Sequence, residues 1–217
     1  MKRSEIEIKL ADVTLGANLA GQEQPKALVI FSHGSGSSRL SPRNNYVADI
    51  LNEHHIATLL TDLLTPEEDE IYENRFNISL LTNRLVMVAE WAIEQISFHE
   101  LPVGFFGAST GAASALQASV FLENNIKAIV SRGGRPDLAK NLSKVTAPTL
   151  LIIGSLDTQV IDLNKQAYDQ LTCVKRMEIV NGASHLFEEP GTLDVAANLA
   201  MNWFEEHLIK LDVFAKS

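Results

Sequence analysis

Five short runs of apolar residues recur along the chain, and they constrain its fold more than any other feature. The runs lie at residues 27–31, 56–60, 103–106, 128–130 and 150–153. Because polar and apolar side chains do not alternate within them, they are typical of strands that are covered on both faces. The sequence therefore predicts a sheet whose central strands are buried.

The segments around these runs complete the predicted order of elements. Three further strands are predicted at residues 5–10, 13–20 and 176–180. Helices are predicted at residues 42–52, 77–96, 110–122, 162–171 and 193–209. Buried strands that alternate with helices indicate an α/β fold, with a mostly parallel central sheet and helices on both faces. A length of 217 residues suits one domain, spanning residues 1–217.

Composition and charge exclude several classes of function. The net charge is −9 and no basic patch is visible, so we expect no binding of nucleic acid. No apolar run reaches the length of a membrane-spanning helix, so we expect no membrane association. The single cysteine, Cys173, cannot form an internal disulfide, and no signal peptide is apparent. These features predict a cytoplasmic protein.

The loop after the run at 103–106 carries the most specific motif. Gly107-Ala108-Ser109-Thr110-Gly111 matches G-x-S-x-G and lies between a predicted strand and a predicted helix. In this context the motif forms a very tight turn. Its two glycines lack the side chains that would otherwise clash where the strand and the helix approach each other. The serine hydroxyl then projects beside a helix N-terminus, which favours a developing negative charge. Ser109 is therefore the predicted nucleophile.

Two further loops at strand ends supply the partners that a nucleophilic serine needs. Asp157 follows the run at 150–153, and His185 follows the strand at 176–180. The chain order Ser109, Asp157, His185 predicts a catalytic triad, since the carboxyl ends of parallel strands meet at one edge of a sheet. Taken alone, Asp157 also suits a turn or a helix cap, and His185 also suits a surface loop.

The glycine-rich loop at residues 32–38 suits an oxyanion hole, which binds the charge that develops on the substrate oxygen. We predict the backbone N–H groups of Ser35 and Thr110 as its two donors. A phosphate-binding loop is the competing interpretation, but the segment lacks the ending of a P-loop. His33 is a competing base, but it precedes the nucleophile and is better explained as a structural histidine that bonds the loop backbone.

With these motifs the sequence resembles the α/β-hydrolase superfamily and, within it, the dienelactone-hydrolase-like group. The resemblance runs from the strand at residue 27 to the last helix and rests on HGSGS, GASTG, GSLD and NGASH. It implies an α/β-hydrolase fold, here without a lid domain, because the interval between the runs at 128–130 and 150–153 is short. Dienelactone hydrolases carry cysteine at the nucleophile position of the G-x-S-x-G turn, whereas this chain has Ser109. Residues 131–137 also resemble a segment of hydrolase domains that are fused to phosphoribosyltransferases.

The resulting prediction is a lidless serine hydrolase that cleaves a small ester or thioester through an acyl-enzyme. It implies no metal and no organic cofactor, and its partner is a small-molecule substrate. Formation of a homo-oligomer stays open. The alternatives are an amidase or peptidase with the same triad and a non-catalytic binding module on the same fold.

Four arginines follow predicted strands: Arg39, Arg43, Arg132 and Arg135. We hypothesise that Arg39 and Arg132 contact the substrate, because a guanidinium offers a planar fork to an anionic group. The alternative is that these arginines pair with the protein's own acids, such as Asp62 or Asp137. The acidic run at 67–70 is interpreted as a solvated loop rather than a metal site or a site for a basic partner.

Overall fold

A computed structural model describes residues 2–95, 98 and 100–210, and a twisted sheet forms its centre. In the described part, eight strands join in the order β1-β2-β4-β3-β5-β6-β7-β8. Strand β2 is antiparallel to both of its neighbours, and β3 to β8 are mutually parallel. The strands are β1 Lys2–Lys9, β2 Thr14–Gly21, β3 Ala27–Ser32, β4 Ile56–Thr61, β5 Val103–Ala108, β6 Ile126–Arg132, β7 Thr149–Gly154 and β8 Lys175–Val180.

Helices cover both faces of the sheet. They are α1 Pro42–Glu53, α2 Pro66–Asp69, α3 Ile78–Glu94, α4 Thr110–Leu122, α5 Thr158–Gln170 and α6 Thr192–Phe204, which continues as a π-helical turn at Glu205–Ile209. Helices α1 and α6 pack against one face, and α3, α4 and α5 pack against the other. The predicted fold class, a mostly parallel sheet with helices on both faces, is confirmed.

The side chains of β3 show why this strand carries no polar alternation. Val29 and Phe31 point into the core beneath α1 and α6, whereas Leu28 and Ile30 point into the core on the opposite face. All four are essentially inaccessible to solvent. Because each face meets a helical layer, both sets of alternating positions must be apolar.

The order of the strands creates a crevice beside β3. The connection from β3 leads to β4 on one side, and the chain then returns to place β5 on the other side. At such a switch point the two loops that leave β3 and β5 diverge, which opens a cleft at the carboxyl end of the sheet. The cleft therefore lies between the glycine-rich loop and the G-x-S-x-G turn.

Some boundaries differ from the prediction. Helix α5 begins at Thr158 rather than at 162, and α3 ends at Glu94. Ile96, the predicted end of that helix, lies outside the described residues. The connection from β6 to β7 contains only short 3-10 turns at Pro136–Leu138 and Leu142–Lys144, and these leave no room for a lid.

The acidic run at 67–70 is more ordered than a solvated loop. It forms most of α2, which begins with a capping box between Thr65 and Glu68. Glu68 also accepts a hydrogen bond from Arg84, and Asp69 accepts from Arg75. The run therefore neutralises arginines of the same chain, which corrects the loop interpretation.

Within the ranges that the structure describes, no helix has the length and apolar character needed to cross a bilayer.

Candidate active site

Ser109 sits in a strained turn between β5 and α4. Its φ of 51° and ψ of −124° place a non-glycine residue in a region that costs free energy and is retained where function needs it. A Cβ at Gly107 would lie 2.5 Å from the Ala112 Cα, and one at Gly111 would lie 2.1 Å from the Ser32 carbonyl oxygen. Only glycine fits at both positions, which explains the spacing of the motif.

Backbone hydrogen bonds hold this turn against the loop after β6. The Ser109 N–H donates to the Arg132 carbonyl at 3.3 Å, and the Ser109 carbonyl accepts from the Arg135 N–H at 3.0 Å. The first bond joins the turn to the last residue of β6, and the second joins it to the loop that follows. The Ser109 side chain is therefore presented from a fixed backbone at the edge of the cleft.

The loops after β7 and β8 bring Asp157 and His185 to Ser109. The His185 Nδ1 lies 2.6 Å from an Asp157 carboxylate oxygen, and its Nε2 lies 3.3 Å from the Ser109 hydroxyl. Asp157 occupies the N-cap position of α5 but makes no side-chain cap hydrogen bond. Its carboxylate is directed to the histidine, so the helix-cap alternative does not describe its contacts.

Three contacts fix the relative positions of these two loops. The Ser155 hydroxyl accepts from the Gly182 N–H at 2.8 Å, and the Leu156 N–H donates to the Ala183 carbonyl at 3.0 Å. A Cβ at Gly154 would lie 2.3 Å from the same carbonyl oxygen. The loops that carry the acid and the histidine are thus held together by contacts that do not involve the Asp157 and His185 side chains.

The glycine-rich loop lies against the nucleophile. A Cβ at Gly34 would lie 2.9 Å from the Ser109 Cβ, so the missing side chain allows the close approach. The Ser35 N–H donates to the Thr110 hydroxyl at 2.9 Å. The two residues predicted to form the oxyanion hole are therefore adjacent, and in this structure the Ser35 N–H is already engaged by its neighbour.

His33 supports the glycine-rich loop and does not reach the nucleophile Ser109. Its Nδ1 lies 2.9 Å from the Gly34 carbonyl, and its Nε2 accepts from the Leu63 N–H at 3.3 Å. Burial lowers the pKa of His33, which favours this neutral form. These contacts match the structural interpretation of His33.

The cleft is an open pocket of about 730 Å³ above Ser109 and His185. Residues of the segment 34–44 form one wall, and Leu186 forms part of the opposite wall. Arg132 also lines the pocket although only 7% of its surface is exposed, and its Nη2 donates to the Asn44 side-chain oxygen at 3.2 Å. Arg43 lines the rim and pairs with the exposed Glu188.

Arg39 does not line this pocket, which corrects the hypothesis that it contacts the substrate. Its guanidinium pairs with Asp62 and with Glu5, both at 2.5 Å, and packs against Gly16. Arg135 pairs in the same way with Asp137. For Arg39 and Arg135, pairing with internal acids is therefore the observed arrangement.

Cys173 lies away from the pocket. Its thiol is 3.7 Å from the hydroxyl of Thr149, the first residue of β7, at the amino end of the sheet. Burial raises the pKa of this thiol, so it is a poor thiolate donor. In the ranges covered by the structure, no group of three or more His, Cys, Asp or Glu side chains forms a metal site.

Asn44 and Glu189 are site residues that the sequence analysis missed. Asn44 is the partner of Arg132, and Glu189 accepts from the Ser184 N–H at 2.9 Å beside His185. Asn44 lies in the first turn of α1, the helix that follows the glycine-rich loop, and this position could have marked it as a candidate site residue. Its contact with Arg132 could not have been predicted from local sequence, because the two residues are 88 positions apart.

Comparisons with known proteins support the fold. No model of a known protein family matches the chain. A crystal structure of dienelactone hydrolase from Anabaena variabilis shares 47% identity with a TM-score of 0.92, covering 95% of this chain and 98% of that one. Est1E from Butyrivibrio proteoclasticus has a TM-score of 0.79 at 16% identity, over 93% of this chain and 98% of that one, and so supports the fold alone.

A Mycobacterium tuberculosis protein named "Putative phosphoribosyl transferase" is 48% identical over 209 residues. The match covers 96% of this chain but 47% of that protein. The chain thus spans about half the length of the curated relatives that it matches.

Proposed function

The chain belongs to the dienelactone-hydrolase-like group of the α/β-hydrolase superfamily, and from this premise we propose that it is a serine hydrolase that cleaves a small ester or thioester through an acyl-enzyme. The observation that supports the proposal most directly is the continuous path of contacts from Asp157 through His185 to Ser109, at 2.6 and 3.3 Å. A carboxylate, an imidazole and a hydroxyl in this order can activate the hydroxyl as a nucleophile.

In the first half of the reaction, the Ser109 oxygen attacks the substrate carbonyl carbon while His185 Nε2 takes the hydroxyl proton. Asp157 holds the tautomer with the proton on Nδ1 and stabilises the imidazolium that forms. The carbonyl oxygen becomes an oxyanion, which accepts hydrogen bonds from the Thr110 N–H and the Ser35 N–H. Collapse breaks the bond to the leaving alcohol or thiol, which receives the proton from His185.

The second half uses the same groups on water. His185 removes a proton from a water molecule, which attacks the acyl carbon, and then returns that proton to the Ser109 oxygen as the acid product leaves. No step needs a metal or an organic cofactor. The open pocket and the absence of a lid in the connection between β6 and β7 suit small or readily accessible substrates.

The name of the longer curated relatives does not transfer to this chain, because the matched segment is about half of each. We propose that this shared segment is the hydrolase part of those proteins. An amidase would use the same residues, and a non-catalytic binding module would need only the pocket.

Reaction with a fluorophosphonate probe separates an enzyme from a binding module without knowledge of the substrate. We expect the Ser109 oxygen to displace fluoride, and the added mass to map to the peptide that contains Ser109. Ser109→Ala should abolish labelling, whereas Ser143→Ala, which changes an exposed serine outside the pocket, should not. Absence of labelling in folded wild-type protein would refute the proposal.

Turnover of matched acetyl ester, thioester and anilide substrates identifies the bond that is cleaved. We expect the ester and the thioester to react, and Ser109→Ala to lower kcat/KM by roughly 10³-fold or more. Faster cleavage of the anilide would favour the amidase alternative.

A further inference from the structure

Among the residues that the structure describes, Arg132 is a buried cation without an acidic partner. Its one side-chain hydrogen bond goes to the neutral oxygen of Asn44, and its Nε and Nη1 have no acceptor among the described residues. The rings of Phe106 and Phe187 lie 6.0 and 5.7 Å from the guanidinium carbon, at the outer limit of a cation–π contact. Such an arrangement leaves most of the desolvation cost of the charge uncompensated.

Three other buried or half-buried arginines of this chain show what compensation looks like. Arg39 pairs with Asp62 and Glu5, Arg84 with Asp12 and Glu68, and Arg135 with Asp137. The chain has 27 acidic residues against 18 basic ones, so acidic partners are abundant. Arg132, the arginine that lines the Ser109 pocket from within the sheet, lacks one in the described structure.

A second cation lies close by. Arg43, at the start of α1, lines the same pocket, and its one acidic contact is with the exposed Glu188. Burial lowers the pKa of Arg132 to about 10, and the charge of Arg43 acts in the same direction. Arg132 is still protonated at neutral pH, so two positive charges line the same pocket. Asp69, the acid that lines the pocket, is held by Arg75.

We propose that Arg132 and Arg43 bind a phosphate group on the non-reacting part of the substrate. An oxyanion between the two guanidinium groups would supply the countercharge that the folded chain does not. This inference rests on the proposed function for the reaction, but the anion site itself is independent of catalysis.

The number of donors favours a phosphate over a carboxylate. The hydroxyls of Ser37, Ser38 and Ser41 line the same wall as Arg43, and each can donate one hydrogen bond. A terminal phosphate offers three strongly accepting oxygens and up to two negative charges, whereas a carboxylate offers two oxygens and one charge. Two cations together with several hydroxyls therefore match the phosphate more completely.

The position of the site also connects it to the reaction. The Arg132 carbonyl accepts from the Ser109 N–H at 3.3 Å, so the backbones of the two residues are direct neighbours. Because Ser109 and Arg132 also line the same pocket, one substrate molecule could carry both the scissile carbonyl and the bound phosphate. Binding there would orient the carbonyl toward Ser109.

Thermal unfolding with inorganic phosphate tests the anion site without turnover. The Ser109→Ala protein, which cannot form the acyl-enzyme, should gain a saturable increase in Tm with phosphate that chloride at equal ionic strength does not give. Arg132→Met should lose this increase, whereas Arg135→Gln should keep it, because Arg135 is paired outside the pocket. If Arg132→Met does not fold, Arg43→Gln at the rim carries the same test.

The Arg132→Met protein also reports on stability in phosphate-free buffer. Replacing an uncompensated buried charge by an apolar side chain should raise its Tm above that of the parent. A lower Tm would show that Arg132 also stabilises the fold, and the proposal would then be overturned if Arg43→Gln kept the phosphate-dependent increase in Tm. Equal effects of phosphate and chloride, or a phosphate effect that survives in Arg132→Met, would overturn it as well.

A kinetic comparison tests the substrate class. Three esters with the same acyl and leaving groups would carry a neutral, a carboxylate or a phosphate group at the same distal atom. We expect kcat/KM for the phosphate ester to exceed that for the neutral ester by roughly 10-fold or more. Arg132→Met should abolish this ratio, and Arg135→Gln should preserve it. A preference for the carboxylate ester over the phosphate ester would overturn the phosphate assignment.

The two sets of outcomes are distinguishable. Hydrolysis of neutral esters without any phosphate effect would refute the anion site and leave the proposed function intact. A phosphate-dependent Tm that requires Arg132, in a protein that Ser109 probes do not label, would support the anion site and refute the proposed function.

Discussion

The backbone N–H of Ser35 donates a 2.9 Å hydrogen bond to the Thr110 hydroxyl. This bond joins the loop after β3 to the first residue of α4, across 75 positions of the chain. It fixes the Ser35 peptide beside Thr110, the residue that follows Ser109. It also occupies a donor that we assign to the oxyanion.

Removal of the Thr110 hydroxyl should therefore slow the chemical step. Thr110→Val keeps the shape of the side chain but releases the Ser35 peptide, and we expect kcat to fall on the order of 5-fold, the value of one neutral hydrogen bond. KM should change little, because the hydroxyl positions the Ser35 peptide and is not assigned a contact with the bound substrate. Thr110→Ser should restore kcat. A higher kcat in Thr110→Val would mean that the hydroxyl blocks the donor rather than positions it.

Asp157→Asn should leave the fold unchanged and reduce turnover strongly. The amide cannot hold the His185 tautomer that accepts the Ser109 proton, and we expect kcat to fall by up to roughly 10⁴-fold. Steady-state kinetics on an acetyl ester would measure the loss. Asp162→Asn, which changes an exposed acid on the same helix, is the matched control. Activity near that of wild type would show that Asp157 is not the acid of a triad.

The glycines of the G-x-S-x-G turn should be required for folding. At Gly111→Ala the new Cβ would meet the Ser32 carbonyl oxygen at 2.1 Å and the His33 carbonyl oxygen at 2.6 Å, so β3 and α4 must separate. We expect a loss of about 3 kcal/mol or more in the free energy of unfolding, measured by urea denaturation.

Gly182→Ala is the control for this prediction. Gly182 has a φ of 74°, but a Cβ there would meet nothing within 4 Å. Its replacement should cost about 1–2 kcal/mol, the penalty for a left-handed backbone with a side chain. Equal losses in the two variants would show that strain, rather than the close approach of strand and helix, sets the cost at Gly111.

Stability should fall on acidification through the titration of His33. Burial lowers the folded-state pKa of His33 below its ordinary value of 6.5, so the unfolded chain takes up a proton first as the pH drops. The contribution of this residue is fully present above pH 6.5 and is lost as the pH falls toward the folded-state pKa. His207 is shifted in the same direction by burial and acts in the same window.

Unfolding measured at several pH values between about 7.5 and 5.5 would separate the two histidines. His33→Gln should reduce the slope of the unfolding free energy by up to about 1.4 kcal/mol per pH unit, the limit for one proton. His207→Gln should leave unchanged the part of the slope that comes from His33. An unchanged slope in His33→Gln would contradict the prediction.

Local patterns were sufficient to locate most elements and the candidate triad in the chain. Helix α4 spans the predicted residues 110–122. It could be located because the G-x-S-x-G turn marks its beginning and its apolar composition continues to Leu122. The buried strands were visible because coverage on both faces removes polar alternation. The order Ser109, Asp157, His185 was visible because each residue lies in a loop that follows a strand. Their meeting in space is a structural result, and their catalytic roles stay predictions.

The arginines show what the linear pattern could not decide. Arg39 and Arg132 were both predicted to lie near the carboxyl ends of strands, yet Arg39 contacts Asp62 and Arg132 contacts Asn44, 23 and 88 positions away. These partners depend on the arrangement of strands and helices around the sheet, and local periodicity does not encode that arrangement. The strand types and the motif positions were thus determined by the sequence itself. The tertiary structure alone decided which charge is paired and which is left in the pocket, because pairing requires side chains from distant segments to meet.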